Sequence, residues 1–303
     1  MAIQKYLKVA LVGSLLLESS LHAVTMKIIP PSPDIPAPSF LTKWKERTTG
    51  YKSAYGVRQT LYSDRVMAQP CPSRTMVECI RVQVEHGDSQ KMTGERAELA
   101  VMLGDQYNKL QENLTSGTKY YALSVYIPSP WNPPAFNLAW GSLGTIFQLH
   151  GPDSLRANPV FALMAENKFS VNWRGGDISV NKGVTKFYLS NDVIPLNKWV
   201  DFVVGIKFAA TPTGSITVWR HDQGQAAFIK VLSRNNLATL QYIGDATSVG
   251  DHYWKTGYYR SISPFTSLLY LGEEARADSP ESAASAAFNK IPEFIHANWN
   301  SMF

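Results

Sequence analysis

The chain has 303 residues, 45% of them hydrophobic and only 17% charged, against about 25% charged in typical globular proteins. Disorder, a collagen-like fibre and a coiled coil are thereby excluded. Lys plus Arg number 29 against 24 Asp plus Glu, a formal net charge of +5, which suits a polyanionic partner. The dense basic runs of a nucleic-acid binder are missing, so no nucleic acid is expected.

Residues 1–23 read as a secretory signal: Lys5 and Lys8 open it, Val9 to Leu17 form the apolar stretch, and Leu21-His22-Ala23 offers a cleavage site. The stretch is far short of the roughly 20 apolar residues a membrane helix needs. No later run qualifies, so a secreted, soluble protein is expected, with no membrane partner and as a monomer. Residues 24–39 read as a linker, because Pro30, Pro31, Pro33, Pro36 and Pro38 crowd it. Residues 40–303 then form one domain. Cys71 and Cys79 are the only cysteines and are expected to pair in an oxidising compartment. Asn113-Leu114-Thr115 is the one glycosylation sequon.

From Phe40 onward the pattern is of strands and turns. Lys119 to Ile127 alternates, with Tyr121, Leu123, Val125 and Ile127 on one side; Trp199 to Phe208 does the same with Val200, Phe202, Val204, Ile206 and Phe208. Val160–Met164, Phe169–Trp173, Ser215–Trp219 and Leu268–Leu271 are shorter runs, separated by turn clusters such as Arg174-Gly175-Gly176-Asp177 and Thr211-Pro212-Thr213-Gly214. Many short strands at this spacing predict an all-β, jelly-roll-like sandwich. One helix is expected, over Pro280–Asn289. Trp131, Trp140, Trp173 and Trp219 fit sugar stacking and core burial equally well.

Three segments carry polar residues that a plain sandwich does not need. In Gly94-Glu95-Arg96-Ala97-Glu98-Leu99, a strand puts Arg96 and Glu98 on one face and Ala97 and Leu99 on the other. In Thr145-Ile146-Phe147-Gln148-Leu149-His150-Gly151, Phe147 and Leu149 face the core while Gln148 and His150 project away. In Tyr253-Trp254-Lys255-Thr256-Gly257-Tyr258-Tyr259-Arg260, one face shows Lys255, Gly257 and Tyr259, and Arg260 points to the other. Singly, these fit a surface ion pair, a capping histidine and ordinary sheet-surface residues. Together, on neighbouring strands, they would make a groove floor. Zincin, phosphate-loop and nucleophile-elbow motifs are absent from the sequence, as is the Glu-x-Asp-x-x-Glu pair of jelly-roll glycoside hydrolases.

Arg96-Ala97-Glu98-Leu99, then Gln148-Leu149-His150, then Lys255-Thr256-Gly257-Tyr258-Tyr259 resembles the polysaccharide lyases of the alginate, glucuronan and heparin lyase I type. The resemblance runs from Gly94 to Leu271. Gln-Leu-His-Gly and Tyr-Trp-Lys-x-Gly-x-Tyr-Arg bring it nearer the glucuronan and heparin lyase I branch, and Ala100 and Val101 stand where the alginate branch often has a further charge. It implies β-elimination on a uronic-acid polymer, leaving an unsaturated sugar end.

The side chains suit that chemistry. Removing the proton at C5 beside a carboxylate piles charge onto an existing anion, so that carboxylate must first be clamped. Arg96 donates bidentately and Gln148 adds an amide donor. An imidazole with an ordinary pKa of about 6.5 suits His150 to base or clamp. Tyr259 is the expected acid, and also the base if proton and leaving group share one side of the ring; His150 is the base if they do not. Lys255 is placed as a substrate-binding cation and Glu98 as the group that orients Arg96. This mechanism requires no cofactor or metal, with room left for a structural calcium. The alternatives are a non-catalytic carbohydrate-binding jelly roll, or a lyase for alginate or heparin.

Overall fold

A computed structural model describes residues 24–28, 65–88, 94–103, 108–109, 111–134, 144–155, 158–180, 183–289 and 291–294. The expected leader, Pro30 to Pro38 and Trp140 lie outside these. In chain order the strands are β1 (Val24–Ile28), β2 (Val66–Cys71), β3 (Arg74–Val84), β4 (Glu95–Leu103), β5 (Asn108–Lys109), β6 (Gln111–Glu112), β7 (Thr118–Tyr126), β8 (Gly144–His150), β9 (Phe161–Ala165) and β10 (Phe169–Trp173). They continue as β11 (Gly176–Asp177), β12 (Thr185–Tyr188), β13 (Trp199–Lys207), β14 (Gly214–Asp222), β15 (Ile229–Leu237), β16 (Gln241–Tyr242), β17 (His252–Arg260), β18 (Ser267–Leu271) and β19 (Glu274–Ala277). The α-helix among the described residues, α1, spans Pro280–Phe288.

Two antiparallel layers face each other, an all-β sandwich. One layer runs β12–β10–β9–β8–β17–β4. The other runs β15–β14–β13–β7, and the far edge of β7 is shared by β18 and β19. β4 also pairs with β1, which reaches β19, so the layers join along that side. The strand at Val24–Ile28 corrects the expected linker: its first five residues are sheet.

Period-two alternation builds the core. Tyr121, Leu123 and Val125 of β7 and Val200, Phe202, Val204 and Ile206 of β13 meet Phe147, Leu149, Phe161, Leu163, Trp254 and Tyr258 from the opposite layer. A one-residue slip would turn each of these sets outward, so burial fixes the register. The helix obeys its end signals: Ser279 caps it, accepting from the Ser282 N–H, and Pro280 and Glu281 suit the first turn. Its Ala283, Ala284, Ala287 and Phe288 cover Ala122, Val203 and Ala275 on the outside of the second layer.

Candidate active site

The three polar segments are adjacent strands. β17 lies in the middle, with Gly257 opposite Glu98 and Tyr259 opposite Arg96 on the β4 side. On the β8 side Tyr253 stands opposite His150, and Lys255 opposite Gln148. Opposed residues in an antiparallel pair project to the same face. Because Ala97, Leu99, Phe147, Leu149, Trp254 and Tyr258 all enter the core, the polar set faces outward from the layer.

Gly257 shapes the middle of this face. Between Thr256 and Tyr259, β17 carries one more residue than β8 opposite, a bulge. Gly257 sits there at φ +130°, and a Cβ at this position would stand 2.3 Å from the Ala97 carbonyl oxygen. Only glycine fits, and it leaves a gap between Lys255 and Tyr259.

Glu98 is the hub. Its carboxylate receives Lys255 Nζ at 3.4 Å and Arg96 Nη1 at 3.5 Å, and the Gln148 amide donates to its other oxygen. Burial alone would raise the Glu98 pKa, but the charges of Lys255, Arg96 and His150 and the Gln148 hydrogen bond outweigh it and hold the carboxyl below its usual range. Glu98 is therefore an anion at neutral pH. The Arg96 guanidinium lies over the Tyr259 ring at 4.1 Å, a cation–π contact that links the hub to the phenol. The Nε of Arg96 is buried and has no acceptor among the described residues.

His150 closes the other end of the face. Its ring stacks on Tyr253 at 5.0 Å, and Nδ1 lies 2.8 Å from the Gly151 carbonyl. A carbonyl only accepts, so Nδ1 carries a proton and Nε2 is the ring nitrogen at which a proton is gained or lost. Sequence reasoning missed Tyr253 as the platform for this imidazole; extending the Lys255–Gly257–Tyr259 alternation by one step would have found it.

The neighbouring residues that look reactive are not on this face. The Tyr258 hydroxyl donates to the Ala165 carbonyl at 3.4 Å, and burial drives its pKa well up. Arg260 points the other way, as expected, and pairs with Glu95 at 2.9 Å. Trp131 and Trp173 pack against the core, their indole N–H groups donating to the carbonyls of Glu166 and Ala238. Trp219 is buried on the helix side.

Cys71 and Cys79 are both buried thiols beside Trp199, so the expected bridge is not formed in this structure. Asn113, the sequon residue, lies in the turn before β7 and donates to Asp251 at 2.9 Å. Among the described residues no three His, Cys, Asp or Glu side chains cluster as a metal site.

A sandwich with a cationic, carboxylate-anchored outer face and an adjacent phenol has the make-up of a carbohydrate-active enzyme acting on acidic polymers. A polysaccharide lyase family model matches residues 47–277, so the chain belongs to the polysaccharide lyase family. No curated protein sequence matches it. Among solved structures it is similar to the endo-β-1,4-glucuronan lyase of the fungus Trichoderma reesei, at 12% identity and a TM-score of 0.52, covering 76% of this chain and 94% of that one. It is also similar to the catalytic domain of a glycoside hydrolase family 131 protein from Coprinopsis cinerea, at 13% identity and a TM-score of 0.47, covering 78% and 83%. A third is the PL7 alginate lyase of Zobellia galactanivorans, at 14% identity and a TM-score of 0.44, covering 84% and 94%. At these identities the first likeness bears on the fold, which it shares as a jelly-roll sandwich.

Proposed function

We propose that this polysaccharide lyase is secreted and cleaves a glucuronan-like polyuronate by β-elimination. The observation that carries the reading is the Glu98 hub: one ionised carboxylate shared by Arg96, Lys255 and Gln148, with a buried Arg96 Nε–H that lacks an acceptor among the described residues, next to the Tyr259 phenol. A buried donor without a partner costs about 1–3 kcal/mol, and the carboxylate of a bound uronate would supply one. Arg96, with Gln148 and Lys255 beside it, then stabilises the extra charge that develops when C5 loses its proton. Glu98 holds these donors in place and does not react.

The C5–H electron pair forms the C4–C5 double bond as the C4–O bond breaks, and the Tyr259 hydroxyl gives its proton to the departing oxygen. His150 Nε2 takes the C5 proton when the two lie on opposite sides of the ring; when they lie on the same side, Tyr259 starts as its phenolate, takes the C5 proton and passes it to the departing oxygen. The glucuronan preference rests on the wording of the Gln148 and Lys255 motifs and agrees with the name of the fungal neighbour. Secretion rests on the leader, and none of the described helices is long and apolar enough to cross a membrane.

The test is incubation with glucuronan, alginate, heparin and hyaluronan, following the ultraviolet absorbance of an unsaturated uronate. The expected result is the fastest rise on glucuronan. New reducing ends without absorbance would mean hydrolysis; binding without either would mean a lectin-like role. Protein recovered from culture medium should begin directly after Ala23.

A further inference from the structure

We infer that β10 and β12 carry a second sugar subsite, one that reads hydroxyls and a ring face rather than charge. It rests on the lyase reading above and lies on the same outer face of the layer as the Glu98 hub. The registers define two rows across the strands. One runs Lys255, Gln148, Ala162, Asn172, Lys186, and the other Tyr259, Thr145, Met164, Ser170, Tyr188. With strands about 4.8 Å apart, Asn172 stands roughly 10 Å from Gln148 and β12 roughly 14 Å. One sugar ring cannot span that gap, but a chain lying across the strands does, and Ala162 between the two ends offers no obstruction.

Three features distinguish the distal end. Ser170 Oγ and Asn172 Oδ1, two residues apart on one face of β10, are both buried without a hydrogen-bond partner among the described residues. The Asn172 oxygen needs a donor, which a sugar hydroxyl is and a carboxylate is not. Tyr188, opposite Ser170, is 58% exposed on a strand that among the described residues pairs with β10 alone; Lys186 Nζ lies 5.7 Å from its ring centroid, and the exposed remainder of the ring is available to stack. Finally, Lys186 is matched with a single carboxylate, Glu166, at 2.7 and 3.0 Å, whereas at Glu98 two cations share one. Carboxylate recognition thus belongs to the proximal end, and the distal end is left to bind the neutral parts of a sugar.

The experiment compares wild type, Asn172→Ala, Tyr188→Ala and Tyr188→Phe on polyglucuronate and on the shortest glucuronate oligomer that is cleaved. KM on polymer should rise roughly fivefold or more in the two alanine variants, as for one lost stacking contact. Expected alongside are unchanged kcat, wild-type behaviour on the short oligomer, and near-complete retention in Tyr188→Phe. An unchanged KM on polymer, or an equal loss on the short oligomer, overturns the subsite while leaving the lyase reading intact. If wild type makes no unsaturated ends, retardation in a native gel containing polyglucuronate decides instead. Weaker retardation of the alanine variants supports the subsite; equal or absent retardation overturns it.

Discussion

Two buried carboxylates, one on the outside of each layer, are built from nearly the same parts. Glu98 is held by Arg96, Lys255 and Gln148. Asp201 on β13 is held by Arg74 at 3.0 Å, by His221 at 3.1 Å and by the Ser124 hydroxyl. The difference lies in what completes each cluster. At Asp201 a second acid, Glu293, meets Arg74 at 2.5 Å, and Phe294 and Phe228 close over His221 at 4.9 and 5.3 Å. Two acids balance two bases under an aromatic lid. At Glu98 the described groups are two cations to one carboxylate, beside a partly exposed phenol and imidazole. The first is a clasp that pins the C-terminal segment; the second is the cluster on which the proposed substrate clamp rests. Ser124, Asp201 and His221 also illustrate that a Ser/His/Asp set is not a triad by composition, since the serine donates to the aspartate and not to the histidine.

The largest effect expected is on catalysis. Tyr259→Phe removes one hydroxyl and should lower kcat by about 10²–10⁴-fold, the range for losing a positioned proton donor, with polymer affinity nearly intact by calorimetry. Arg96→Ala should weaken both rate and affinity. Retention of most of the rate by Tyr259→Phe would reassign the acid. Next in size is the clasp. Asp201→Asn takes the carboxylate from His221 and leaves Arg74 with Glu293 alone, which costs about 3–5 kcal/mol for a broken buried pair. That should appear as a melting temperature lower by about 10 °C with kcat per folded molecule unchanged. Lost kcat in a fully folded Asp201→Asn protein would erase the distinction between the two clusters.

A third carboxyl, Glu274, sharpens it from inside the core. Burial pushes its pKa up to about 8, only partly offset by Thr256 at 2.6 Å. Thr256 also lies 3.2 Å from the Ile146 carbonyl. With one hydroxyl hydrogen to share between two acceptors, it offsets the burial only in part, and a pKa pushed up to about 8 keeps Glu274 mostly protonated at neutral pH beneath the site strand. Between its ordinary pKa and about 8 the folded state keeps a proton that the unfolded state has lost, so stability falls with rising pH in that window. Glu274→Gln should remove the fall, adding about 2–3 kcal/mol at pH 7 and little below pH 5. Equal melting shifts at both pH values would show that the acid is not held neutral.

Much of this was legible in the sequence because alternation is a local signal. Thr118–Tyr126, Trp199–Lys207 and Phe169–Trp173 follow the apolar pattern closely, and the polar faces of β4, β8 and β17 read correctly for the same reason. What the pattern withholds is partnership across long loops. That Tyr259 meets Arg96, far away in the chain, is a register fact, as are the rows that end at Lys186 and Tyr188. Burial of the polar face was equally invisible: Arg96 and Lys255 are each only 6% exposed, where alternation suggests a wet surface. The Asp201 clasp did leave a trace, a lone acid within the otherwise apolar Trp199–Ile206 run, but its partners Arg74, Ser124 and His221 come from three other strands.

The smallest effect tests the clasp by pH. His221 Nδ1 faces the Asp201 carboxylate, and Nε2 lies 2.9 Å from the Gln225 carbonyl. Both partners only accept, so both ring nitrogens carry protons and the ring is an imidazolium. Burial works against that charge, but the hydrogen bond and charge of Asp201, with Gln225 and Glu293, outweigh it and raise the His221 pKa. Asp201 is the mirror case, burial being overcome by His221, Arg74 and Ser124 so that its pKa is lowered. A raised histidine contributes stability that is complete below its unfolded pKa and is lost as pH climbs through the folded one. A lowered aspartate contributes above its unfolded pKa and is lost as pH drops through the folded one. The clasp is therefore strongest between the ordinary carboxylate and imidazole ranges. His221→Gln should lower the melting temperature by a few degrees near pH 6, an effect of about 1–2 kcal/mol, and by less at alkaline pH, where the wild-type ring has lost its charge. A difference that grows with pH would mean that the ring is neutral in the folded protein and that Asp201 is balanced by Arg74 alone.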